Sequence, residues 1–326
     1  MAVSLSEANK LTRDYLFAGI VEETVEEDAV FARLPFENIT GVQAVWNRES
    51  SLGGESQYVQ PNEEITESTP TWSKQSQTLS ILADRAEFDN FLMQTKSDVQ
   101  NVEDAIVASK AKQMLRKFAD TFYYGVASGG SSNAFAGLHN IVSTSSPDMT
   151  VAGGSSATGA PGSLAALNSL ISLVKPGRPD ALAMNRNLHN RLSTPYVANV
   201  QYNISPDNFG TMLANYSGIP LLITDYLTQT ETISGSAFAA KTGGATGSIF
   251  GIKFGNDACA LPGTGNVFNN NGLLGLQAGG LRVGEAIDLH NKDGFTRKLT
   301  WYHTLIQGST LSLARYDGLT DAAWTV

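Results

Sequence analysis

The chain has 326 residues, 42% of them apolar, enough for two domains or one large core with appendages. No apolar run is long enough to cross a bilayer, and the polar stretch Met1–Lys10 lacks the apolar segment of a secretory signal. The formal charge of −9 sits in the leading fifth: residues 1–67 hold 13 acidic and four basic side chains, the remainder 18 of each, so the body offers no basic stripe for reading nucleic acid. Cys259 is the only cysteine, which excludes an intrachain disulfide and points to a reducing compartment.

Ser4 and Glu7 have the spacing of a capping box and open a helix expected through about Glu23, with Ala8, Leu11, Tyr15 and Leu16 on its apolar side. Glu22, Glu23, Glu26, Glu27 and Asp28 follow as an acidic cluster. A solvated face is the simpler reading of it, an arm lying against something basic the other. Val30–Phe36 reads as extended. Between Asn47 and Thr78 only Leu52, Tyr58, Val59, Ile65 and Trp72 are apolar, yet Thr, Ser, Gln and the turn signals Gly53-Gly54 and Pro61-Asn62 give it the look of strands and turns. With strand-like flanks at Gly41–Trp46 and Leu79–Ala83, a long two-stranded excursion is expected. Such a hairpin is marginal in water by itself, so it either moves or lies on another molecule; a plain flexible insertion is the alternative.

Ser97–Gly125 reads as one long helix. Ser97 and Gln100 have the capping spacing; Val102, Ile106, Ala108, Ala111, Leu115, Phe118 and Phe122 form an apolar face; Gly125 is placed for a left-handed cap. Asp98, Glu103 and Asp104 near its start and Lys110, Lys112, Arg116 and Lys117 in its second half suit the helix dipole. Sustained heptads are absent, which removes a coiled coil. Ser143–Gly162 reads as a loop, followed by a helix capped by Ser163, a buried strand Ala181–Met184, a helix capped by Asn185, and strands at Ile219–Thr224, Ser248–Phe254 and Leu273–Gln277, an α/β lobe over 163–282. Ala286–His290 and Phe295–Ile306 flank a Lys-Asp-Gly turn as a hairpin, and Leu311–Tyr316 is a last strand.

Motifs for chemistry are missing. His139, His189, His290 and His303 lack metal-ligand spacing to one another or to Cys259. There is no Gly-x-Ser-x-Gly elbow, phosphate-binding loop or dinucleotide fingerprint, and Gly243, Gly244 and Gly247 read as a turn. Asp288, Asn291 and Asp293 lack calcium-loop spacing, and Glu22–Asp28 reads as an acidic helix end rather than a carboxylate pair. No catalytic residue, cofactor or metal is expected, and the chain reads as a non-enzyme; an α+β enzyme with a site that no motif reveals is the different-class alternative.

The order of parts, with Arg33-Leu34-Pro35-Phe36, Arg48-Glu49, Pro179–Asn185 and Tyr216–Leu221 followed by Asp225, resembles the major capsid proteins of tailed bacteriophages, whose coat-protein fold encapsulins share. The resemblance implies an α+β fold with an N-terminal arm (1–40), an extended β-hairpin loop (41–83), a peripheral domain with the spine helix (84–162), an α/β axial domain (163–282) and returning peripheral strands (283–326). It implies self-assembly as pentamers and hexamers into an icosahedral shell around double-stranded DNA held non-specifically, with a portal and a separate scaffolding protein, no membrane, assembly in a bacterial cytoplasm and residence in the virion capsid. An encapsulin-type shell is the runner-up. Intersubunit contact is expected from the loop and arm through Trp46, Arg48, Glu49, Tyr58, Trp72, Lys74, Glu26 and Glu27. Some relatives cross-link this loop through a Lys and an Asn; Lys74 is the only Lys between Gly41 and Asn90, and the cross-link is not expected of this chain.

Overall fold

Helix α1, Val102–Tyr124, is the longest helix described, 23 residues and roughly 35 Å. The computed structural model describes residues 28–51, 53, 54, 56, 58–64, 67, 69–91, 94, 102–127, 133–153, 159–193, 200–204, 212–232, 241–255 and 272–325. The expected N-terminal helix, the cluster Glu22–Glu27, the Ser97–Gln100 cap and Cys259 lie outside these residues. The buried stripe of α1 is Met114, Phe118, Phe122 and Tyr123, continued by Val107 and Ala111. Ala108 and Leu115, expected on that stripe, face outward. Met114 and Leu115 are both apolar, so periodicity alone does not choose between them, and the sheet beneath does.

Gly125 ends the helix, but not in a left-handed conformation. Its backbone is packed instead: a Cβ there would lie 2.5 Å from the carbonyl oxygens of both Phe135 and Thr121, and the Gly137 N–H donates to the Gly125 carbonyl at 2.9 Å. This close approach leads into α2, Leu138–Ser145, a helix in a region read as partly loop. Gly125→Ala should therefore cost about 1–3 kcal/mol, read as a lower urea midpoint; an unchanged midpoint would mean the turn yields freely.

The first sheet has six strands and is organised on β14, Gly294–Gln307. β4, Ser80–Asp89, pairs antiparallel along one edge, from His303↔Ser80 to Gly294↔Asp89. Along the other edge lie β11 (Leu273–Gln277), β12 (Arg282–Val283) and β13 (Ile287–Asp288), with β1 (Phe36–Asn38) added parallel to β11. The segment read as extended from Val30 is in fact a 3-10 turn at Phe31–Arg33, with β1 only after Pro35. α1 covers one face of this sheet, with Phe118 4.9 Å from the rings of both Trp301 and His303 and Lys110 3.3 Å from Asp84.

The second sheet runs β5 (Thr150–Ala152), β15 (Leu313–Thr320), β10 (Thr246–Ile252), β6 (Ala181–Met184), β9 (Ile219–Ile223), β8 (Met212–Tyr216), β7 (Val200–Ile204). Helices α3 (Leu164–Leu173) and α4 (Arg186–Ser193) belong to the same lobe, and Asn185 caps α4 by accepting the Leu188 N–H at 3.0 Å. β6 is buried on both faces, Leu182 and Met184 in the cluster of α3 and α4, Ala181 and Ala183 in the cluster of α1 and α2. That double burial is why Ala181–Met184 reads as an unbroken apolar run. The hairpin β8–β9 turns at Ser217 and Gly218, φ 52° and 81°, the two positive values a type I′ turn needs.

Two strands sit in sheets other than those their position in the chain suggests. Leu273–Gln277, read with the lobe 163–282, pairs in the first sheet; the last strand, read with the returning strands, pairs in the second. Both are short apolar segments, and which edge receives them depends on long-range pairing.

Candidate assembly surface

β2 (Gln43–Ser51) and β3 (Thr71–Thr78) form a separate two-stranded antiparallel ribbon, from Gln43↔Thr78 to Ser51↔Thr71. Alternation gives it two faces. One carries Ala44, Trp46, Arg48, Ser73, Gln75 and Gln77, the other Val45, Asn47, Glu49, Trp72, Lys74 and Ser76. The first face is held to the body. Ala44 and Trp46 pack with Leu274, Leu276 and Ile306 on the first sheet, and Gln77 Nε2 donates to Thr304 Oγ1 at 3.3 Å. Arg48 donates from Nε to the Gly308 carbonyl at 3.0 Å and from Nη2 to the Gln307 carbonyl at 2.8 Å. The second face meets water: Trp72 is 66% exposed and Val45 41%, with Glu49 directly across from Trp72 and Asn47 across from Lys74. Further out, Tyr58 is fully exposed, and the Pro61-Asn62 turn forms as read, with Asn62 at φ 71° and the Glu63 N–H donating to the Gln60 carbonyl at 3.1 Å.

The eight residues singled out for intersubunit contact thus fall into three groups. Glu49, Tyr58, Trp72 and Lys74 are exposed on the ribbon and its tip; Trp46 and Arg48 bind the ribbon root to its own chain; Glu26 and Glu27 lie outside the described residues. Arg48→Ala should remove about 1–3 kcal/mol of local stability and speed protease cutting between 52 and 70 at least about fivefold, with the urea midpoint of the body little changed. An unchanged cutting rate would place the anchoring in the packing of Ala44 and Trp46.

Asp28, counted with the acidic arm, is not solvated. It is buried, and its carboxylate accepts the Val30 N–H at 3.0 Å, beside Tyr123 and Thr224. Burial raises its pKa, against these hydrogen bonds. The chain therefore enters the described structure beside the C-terminal turn of α1. Of the basic residues on α1, Lys110 meets Asp84 and Lys117 lies 3.9 Å from Asp120.

One cleft, about 430 Å³, opens between the start of β4 and the second half of α1, lined by Ile81, Leu82, Phe118, Thr121, Phe135 and His303 among others. His303 is enclosed by the Phe118, Phe135 and Trp301 rings, and burial pushes its pKa down to about 4, so it is neutral at pH 7. Among the described residues no cluster of three His, Cys, Asp or Glu side chains is placed to hold a metal ion. No described helix is long and apolar enough to cross a membrane.

A buried polar network had no counterpart in the sequence reading. Glu231 Oε1 accepts from Tyr124 Oη at 2.6 Å and lies 3.1 Å from His139 Nε2, while Ser248 Oγ donates to Glu231 Oε2 at 2.6 Å. On the other side of the imidazole, Arg315 Nη1 is 3.2 Å from Nδ1, and Arg315 Nη2 donates to Asp317. These side chains come from α1, α2, the segment after β9, β10 and β15. A charged Arg315 within the apolar run Leu313–Tyr316 is the one sign of it in the sequence.

Neither a family model nor a curated protein matches this chain. Solved structures do. The SrpI encapsulin complex of Synechococcus elongatus superposes at a TM-score of 0.69 with 14% identity, covering 100% of this chain and 99% of that one. The capsid of a native GTA particle gives 0.65 at 15% identity, covering 98% and 99%. The capsid of Myoviridae phage XM1 gives 0.59 at 13%, also covering 98% and 99%. The fold is the coat-protein fold that phage capsid proteins and an encapsulin share, an α+β architecture with an extended hairpin and a long helix.

Proposed function

We propose that this chain is a shell subunit: a major capsid protein that assembles as pentamers and hexamers into an icosahedral shell around the double-stranded DNA of a tailed phage. The observation that carries the reading is the ribbon β2–β3, which projects Trp72 and Val45 on a face its own chain leaves in water. Large apolar side chains on a structured, anchored face mark a contact with another molecule. On this reading the ribbon lies on a neighbouring copy, residues 1–40 form the arm, 41–83 the loop, 84–162 and 283–326 the peripheral domain and 163–282 the axial domain, with β11 and β15 exchanged between them. A neutral body suits DNA that is enclosed rather than read. A portal and a separate scaffolding protein complete the assembly in the bacterial cytoplasm, and the product resides in the virion capsid. The full-length likeness to an encapsulin favours a second reading, a shell that encloses proteins.

Sedimentation and electron microscopy of the expressed chain test this. Megadalton shells are expected, and Tyr58→Ser with Trp72→Ser should abolish them while leaving the subunit's circular dichroism unchanged. A wild-type chain that remains a small oligomer at high concentration, with scaffolding protein supplied, overturns the shell reading. Nuclease-resistant DNA inside native particles selects the capsid, and enclosed protein the encapsulin.

A further inference from the structure

The buried network lies where the α1–α2 core meets the second sheet, and its hydrogen bonds settle one protonation state. Arg315 has only donors, so its contact with His139 Nδ1 requires an unprotonated nitrogen there. The imidazole proton is then on Nε2 and is donated to Glu231 Oε1. Glu231, with three donors around its carboxylate, is the anion. His139 is completely buried, stacked on Tyr124 at 4.8 Å and edge-on to Phe250 at 4.8 Å, so bulk solvent does not reach the ring. In the chain Asp317–Arg315–His139–Glu231–Tyr124 the link between Arg315 and His139 Nδ1, the one that ties α2 to β15, thus depends on a neutral ring.

We propose that this chain is a proton-sensitive lock: the neutral imidazole ties α1 and α2 to the second sheet, and its protonation opens the seam between them. A second proton on Nδ1 would point at the Arg315 guanidinium, donor against donor and charge against charge. The groups facing His139 are Tyr124 from α1, Glu231 from the segment after β9, Ser248 and Phe250 from β10, and Arg315 and Asp317 from β15; Lys241, over the Tyr124 ring at 5.7 Å and paired with Asp120, is the next charge out. Glu231 and Asp317 favour the imidazolium, but burial, with Arg315, outweighs them and holds the His139 pKa below its ordinary value. For Glu231, burial acts upward, and His139 with the Ser248 and Tyr124 hydroxyls more than offsets it, leaving its pKa lowered. Both shifts have the same sign. The open seam takes up a proton that the closed one refuses, so closure is at its strongest well above the free-histidine value of about 6.5 and weakens as pH falls through it, with a slope that approaches about tenfold per pH unit only below that value and ends where the closed form protonates.

The test does not depend on assembly. Hydrogen exchange of the full-length chain at pH 7.5, 6.5 and 5.5, corrected for intrinsic rates, should show segments 120–126, 138–145 and 313–317 losing protection by up to about fivefold between pH 6.5 and 5.5. The pairing of β14 with β4 should keep its protection. His139→Gln, whose amide donates and accepts but does not titrate, should lose the pH step. Seam protection independent of pH in the wild type overturns the proposal, as does the same step in a folded His139→Gln variant; if that variant does not fold, the wild-type profile alone decides.

Discussion

Phe118→Ala is expected to cost about 3–5 kcal/mol and, in a chain of ordinary stability, to leave much of the protein unfolded or insoluble. The ring is fully enclosed, with centroids 5.0 Å from Phe31, 5.9 Å from Phe36, 5.5 Å from Phe135 and 4.9 Å from Trp301 and from His303. It joins the Phe31–Arg33 turn, β1, α1, the approach to α2 and β14, so its removal leaves a cavity that five separate segments would have to close. Leu115→Ala, three residues away on the outward side of the same helix, should stay within about 0.5 kcal/mol. Urea denaturation of the two variants checks both the magnitude and the face of α1; equal losses would show that the buried stripe has been misplaced.

Glu231→Ala is expected to cost a further large amount, about 3–5 kcal/mol at pH 7.5, because it leaves the Tyr124 and Ser248 hydroxyls and the His139 N–H without their acceptor in a buried site. Glu231→Gln should cost less, about 1–3 kcal/mol. An amide nitrogen in the place of Oε2 donates to Ser248, whose hydroxyl can rotate to accept, and the remaining oxygen still serves Tyr124 and His139. The ordering of the two variants is the measurement: an alanine variant as stable as the glutamine one would mean the network contributes nothing to holding α1 against the second sheet. Removing the charge also changes the acid response, since Glu231 stabilises the fold above the free-carboxyl value and loses that contribution as pH falls through its lowered one.

Much of this architecture was legible in local sequence. The 3.6-residue apolar recurrence announced α1, the unbroken apolar run announced β6, Asn185 announced a cap that the Leu188 N–H confirms, and Pro61-Asn62 announced a turn that forms there. The poverty of apolar residues between Asn47 and Thr78 announced a ribbon with little to bury on its own chain. Each of these features is set by residues close together in the chain, where propensity, pattern and turn chemistry act directly.

Tertiary structure decided the rest. Whether Met114 or Leu115 faced inward depended on the sheet beneath α1, and the requirement for glycine at 125 came from the approach of the Phe135 carbonyl, not from a left-handed cap. Arg48, read as a contact to another copy, finds its partners 259 and 260 residues away at Gln307 and Gly308. The sheets claimed β11 and β15 by long-range pairing that a short apolar segment does not specify. The Glu231–His139–Arg315 network is the extreme case. Four scattered histidines and isolated charges give no local pattern to read, and only when five segments close on one another does burial make each hydrogen bond costly to lose.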